Sequence, residues 1–157
     1  IDHVKKAFHY KGVRAILLCS FLHNFGWSFF FEFTPVYLIS KFQFSFLSLG
    51  FFYGASGFFY AISAGLFIRP FAKRFKPETL FFGGNLLAAF AIMSMPFLPS
   101  SDWIWPLLFF ICFFVSFVSP SSISLVSNSA EDDVQGEALG ILGSVNAAAL
   151  ATLAAAE

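Results

Sequence analysis

Residues 65–77 read Gly65-Leu66-Phe67-Ile68-Arg69-Pro70-Phe71-Ala72-Lys73-Arg74-Phe75-Lys76-Pro77, a short basic stretch between two long apolar runs. Arg69, Lys73, Arg74 and Lys76 are four of the nine Lys and Arg side chains in the chain. A cationic turn between two hydrophobic spans reports which side of a membrane it lies on, because Lys and Arg accumulate in cytoplasmic loops. The rest of the chain can be oriented from it.

The composition sets the class. Of 157 residues, 58% are hydrophobic and 11% charged, whereas soluble domains carry about 25% charged residues. The expected fold is therefore an all-α membrane protein, a polytopic bundle of transmembrane helices. Net charge is zero, which leaves no electrostatic case for a nucleic-acid partner. Cys19 and Cys112 sit in separate apolar runs and read as small hydrophobes, not as a disulfide or metal pair. Most of the 26 Phe read as lipid-facing bulk. The chain starts at Ile1 and stops at Glu157 directly after an apolar run, and the expectation is a segment of a longer multi-span protein.

A bilayer core needs about 20 apolar residues in a helix. On that measure residues 1–14 are a basic lead-in, and the five-helix bundle over residues 15–157 has spans at 15–40, 42–68, 79–98, 106–126 and 138–156. In the second span Gly50, Gly54, Gly57, Ala61 and Gly65 make a stripe of small residues, suited to close helix packing in lipid and equally to a moving interface. Pro120 is expected to interrupt the fourth span, with Ser116, Ser119, Ser121 and Ser122 placed to satisfy the backbone groups it frees. Trp103 and Trp105 suit an interfacial aromatic belt. The lead-in and the 65–77 turn are basic, the intervening loop has only Lys41, and the Trp loop has no Lys or Arg. The two basic segments are thus expected on the cytoplasmic side, and the acidic loop 131–137 with them.

Four polar residues share the first span. Ser20, Asn24, Ser28 and Glu32 are spaced by four, so successive members rotate by about 40° and wind slowly along one face. Glu32 lies about nine residues before Lys41, roughly 13 Å at the helical rise, among Phe29, Phe30, Phe31 and Phe33. An intramembrane carboxyl is a functional candidate by default, and one able to exchange a proton. The structural alternative is that Glu32 reaches the interface or pairs, while Ser and Asn only bond neighbouring helices. Pro35 is placed to bend the helix near the stripe. His23 lies off the stripe and reads as structural.

No nucleophile–base pair, His-Glu-x-x-His motif or phosphate loop is present, and no cofactor is expected. The acidic loop, with Asp132, Asp133 and Glu137, leaves open a metal-dependent lipid-processing enzyme, although no second acidic motif accompanies it. A non-transporting assembly or receptor module, with the glycine stripe as oligomer face, is the third reading.

The order Ser119-Pro120, an apolar turn, Ser127-Asn128-Ser129-Ala130-Glu131-Asp132-Asp133-Val134-Gln135-Gly136, then Gly140 and Ser144, resembles the tenth-to-eleventh helix region of major facilitator superfamily transporters. It is most similar to the tetracycline-efflux-like drug:proton antiporters. The 65–76 turn looks like the weaker copy of the superfamily's basic loop, between helices eight and nine. It departs from the stronger Asp-Arg-x-Gly form, having Arg69-Pro70 instead. The resemblance implies helices seven to eleven of twelve, a half-transporter fragment whose N-terminal half lies outside this sequence. It further implies a small-solute substrate, alternating access around a central cavity, and a cell membrane as location, the inner membrane if bacterial. The first span would line the cavity, with Glu32, Ser28, Asn24 and Ser20 on the substrate or proton pathway. Arg69, Lys73, Arg74, Asp132, Asp133, Gln135 and Gly136 would lie in cytoplasmic loops.

Overall fold

A computed structural model of the protein describes residues 11–129 and 135–154. Helix α1 runs Lys11–Phe42, α2 Phe46–Arg74 and α3 Pro77–Ser94. After α3 come two 3₁₀ turns, Met95–Phe97 and Ser101–Trp103, then α4 Ile104–Ser116, α5 Val118–Ser129 and α6 Gln135–Ala154. No strand occurs among the described residues. Among the described residues four stretches, Arg14–Phe42, Phe46–Arg74, Pro77–Phe97 and Ser101–Ser129, are long and apolar enough to cross a membrane. Large apolar side chains point outward along them, Leu18, Val36, Leu47, Leu66 and Phe90 among others. In water such a surface would be untenable; in lipid it is the solvated face.

Helix ends follow local chemistry. α1 closes at Phe42 because Gln43 adopts a left-handed backbone (φ 58°). The Gln43 N–H then reaches the Ile39 carbonyl at 3.0 Å and the Phe44 N–H the Leu38 carbonyl at 3.3 Å, satisfying acceptors that a helix end leaves open. Ser45 caps α2, its hydroxyl accepting from the Ser48 N–H at 3.2 Å. Pro77 opens α3 at its first position, where a missing N–H costs nothing.

Two of the sequence expectations change in extent. The basic stretch is largely helix: α2 continues through Pro70 to Arg74. Only Phe75 and Lys76, both extended, form the link, because the residue before a proline is driven out of the α region. Second, the fourth span breaks at Phe117, not at Pro120. Proline cannot bond the carbonyl four residues back and collides with it, so the cost of Pro120 falls at Ser116. There the Phe117 N–H turns to the Phe114 carbonyl at 3.3 Å, and the Ser116 hydroxyl donates to the Phe113 carbonyl at 2.7 Å.

Contacts divide the chain into two compact units, residues Ile1–Phe33 with Ser122–Glu157, and Thr34–Ser121. In the first, Leu17 of α1, Val126 of α5, and Ala138 and Leu142 of α6 form a buried cluster, flanked by Ile16, Leu139, Ile141 and Val145. In the second, α4 is the centre. Ile104, Leu108, Ile111 and Val115 are buried at spacings of three and four, one stripe of the helix. α2 meets α4 through phenyl rings, Phe59 on Phe109 (5.5 Å between centroids), Phe67 on Phe113 (5.3 Å) and Phe71 on Phe117 (5.0 Å). Some of the Phe content is therefore helix-to-helix packing, not only lipid-facing bulk. α3 approaches α4 at Gly84, where a Cβ would stand 2.8 Å from the Phe114 carbonyl oxygen. The C-terminal end of α1 is tied to the first 3₁₀ turn: the Tyr37 hydroxyl donates to the Met95 carbonyl at 2.9 Å, and the Lys41 ammonium to that of Pro96.

Candidate functional site

The polar stripe of α1 is stitched along its own helix. The Asn24 amide donates to the Ser20 carbonyl at 2.9 Å, and the Ser28 hydroxyl to the Asn24 carbonyl at 2.9 Å. The second Asn24 N–H crosses to α6, donating to Asn146 Oδ1 at 3.0 Å. Both amides are half-buried. This leaves Asn24 Oδ1 as an acceptor and the Asn146 NH₂ as a donor, since an amide offers two of each. Ser20 is buried, and its hydroxyl has no hydrogen-bond partner among the described residues.

Burial falls along the stripe from Ser20, through half-buried Asn24 and Ser28, to exposed Glu32. A band of aromatic rings from the same helix surrounds this end. Trp27 stacks on Phe30 at 5.1 Å and meets Phe31 edge-on at 4.9 Å, while Phe29 stacks on Phe33 at 5.4 Å. No hydrogen bond or ion pair engages Glu32 among the described residues. The arrangement is a neutral hydrogen-bonding patch ending in one carboxyl group, in an apolar helix. Its amides and hydroxyls can hydrogen-bond a polar solute. Among the described residues no group of three or more His, Cys, Asp or Glu could hold a metal ion.

The chain matches the family model of the Major Facilitator Superfamily over residues 2–154. It belongs to that superfamily. No curated protein and no solved structure matches it. As a member of the superfamily it is a multi-pass membrane transporter, which points to transport and away from catalysis.

The transporter's expected loop residues separate. Arg69, Lys73 and Arg74 lie on the last turns of α2, all exposed, and not in a loop. Cations suit a helix C-terminus, where the macrodipole is negative. Gln135 and Gly136 are the first residues of α6, and the Gln135 amide donates to the Ser127 carbonyl and hydroxyl. That pair ties the start of α6 to the end of α5. Asp132 and Asp133 lie outside the described residues, as does most of the basic lead-in.

The small-residue stripe of α2 is uncovered. A Cβ added at Gly50, Gly54, Gly57 or Gly65 meets nothing within 4 Å, so none of these glycines makes a close helix contact among the described residues. Sequence reading missed the Asn24–Asn146 pair. The signal was present, since Asn146 is the one amide inside the apolar run 138–156, and a lone amide in lipid calls for a partner on another helix. Which partner is a matter of tertiary structure.

Proposed function

We propose that this chain forms the C-terminal half, helices seven to eleven, of a proton-coupled secondary transporter of small solutes, related to the tetracycline-efflux-like antiporters. Its spans are 15–40, 42–68, 79–98, 106–126 and 138–156, the last supplied by α6. α1 lines a central cavity that opens alternately to each side. Ser20, Asn24 and Ser28, with Asn146 opposite, bind the solute through neutral hydrogen bonds. Glu32 exchanges the proton or pairs with a cationic solute.

The observation that carries this reading is the carboxyl of Glu32, unengaged among the described residues, at the end of a hydrogen-bonded polar stripe within a membrane helix. Intramembrane acids mark ion and proton pathways. The test uses proteoliposomes of the full-length transporter with an entrapped pH-sensitive dye and tetracycline as probe solute. Solute-driven proton flux is expected in the native protein and absent, at the level of empty liposomes, in Glu32→Gln, with insertion unchanged. Undiminished proton flux in Glu32→Gln removes Glu32 from the mechanism.

A further inference from the structure

α2 is longer than a bilayer core is thick. Its 29 residues rise about 43 Å, against roughly 30 Å of hydrocarbon. From Phe46 to Ile68 it carries no charge, and that part alone fills the core. The surplus, residues 69–74, stands about 9 Å further along the axis, at the depth of lipid headgroups.

Every charge of α2 lies in that surplus. Arg69 and Lys73 are four residues apart and share a face, and Arg74 and then Lys76 follow. All four are exposed, and none of the four side chains has a hydrogen-bond or ion-pair partner among the described residues. Glu78 is the one carboxylate between Gly65 and Ser101. Two rings lie among the cations: Phe71 stacks on Phe75 at 5.8 Å, and Phe75 is exposed.

We infer that residues 69–76 are a docking surface for anionic phospholipid headgroups. The lipid phosphate is held between Arg69 and Lys73, with Arg74 and Lys76 at the margin. Clustered Lys and Arg at the end of a membrane helix attract anionic lipid, which is concentrated in the cytoplasmic leaflet. An anionic lipid also lays acyl chains against exposed Leu66, one turn toward the bilayer core from Arg69, which a free anion does not. The inference does not depend on Glu32 or on proton coupling.

The test starts from the full-length transporter in nanodiscs of equimolar phosphatidylglycerol and phosphatidylcholine. The protein is released into mild detergent, and retained lipids are counted by native mass spectrometry. Phosphatidylglycerol is expected in excess over phosphatidylcholine. Substituting all four cations by Gln should lower that excess on the order of tenfold or more, whereas exchanging Lys for Arg and Arg for Lys should keep it. Single R69Q and K73Q variants, each expected to lower it severalfold, decide the matter where the fourfold variant does not fold. Glycerol 3-phosphate in solution should not displace the lipid. Equal retention by the Gln variants overturns the proposal, and so does displacement by glycerol 3-phosphate, which would mark a site for free anions.

Discussion

Asn24 is the residue at which two kinds of interaction meet. One N–H serves its own helix and the other reaches Asn146 on α6. Hydrogen bonds between side chains in lipid are weaker than intuition holds, because a separated polar group finds other partners. A double-mutant cycle of Asn24→Ala and Asn146→Ala is therefore expected to give a coupling of about 0.6 kcal/mol, read from thermal unfolding in detergent. Additive losses would mean that the pair contributes nothing beyond its members. The spacing of Ser20, Asn24, Ser28 and Glu32 was legible because a helix repeats locally. Asn146 as the partner was not, because that depends on how α6 lies against α1. The exposure of Glu32 was equally illegible, since adjacent Phe residues say nothing about what stands opposite.

Among the elements, α3 and α4 approach each other closely at Gly84. Gly84 meets the Phe114 carbonyl oxygen and Val118, while Gly83, one residue earlier, faces open space. Gly84→Ala must push two helices apart and should cost about 1–3 kcal/mol. Gly83→Ala should be neutral, or stabilising by up to about 1 kcal/mol through helix propensity. Melting temperatures of the two variants check the contrast, and equal shifts would refute the close approach. The sequence alone does not separate the two glycines, because a glycine's neighbour is set by the crossing of helices. The helix ends were more legible than they were read. The rule that a proline disturbs the carbonyl four residues earlier puts the break directly after Ser116, at Phe117, and not at Pro120. The rule for residues preceding a proline ends α2 at the Phe75–Lys76 link. The basic composition of residues 65–77 obscured this by looking like a loop, although Lys and Arg are good helix formers.

Over the whole molecule, the apolar exterior and the four long helical stretches follow from composition, and so the membrane class was plain from the first reading. Sidedness is the part that rests on charge. With Cys19 and Cys112 replaced by Ser, a membrane-impermeant maleimide should label Lys73→Cys only from the cytoplasmic side and Ser101→Cys only from the opposite side. Labelling of both from one side would overturn the orientation. The uncovered stripe from Gly50 to Gly65 marks the face of α2 that lies open among the described residues, and one chain's sequence carries no signal of what meets it.

The unit that pairs residues Ile1–Phe33 with Ser122–Glu157 joins stretches far apart along the chain, which has a consequence for biosynthesis. Asn24 and Asn146 are separated by 122 positions. At about 5–20 residues per second, the ribosome makes the second on the order of ten seconds after the first. Through that interval α1 waits in the membrane with its amide unmatched, while Thr34–Ser121 can already assemble. A ribosome that stalls before α6 leaves Asn24 without its partner on another helix, a polar group facing lipid of the kind by which membrane quality control can recognise an incomplete chain.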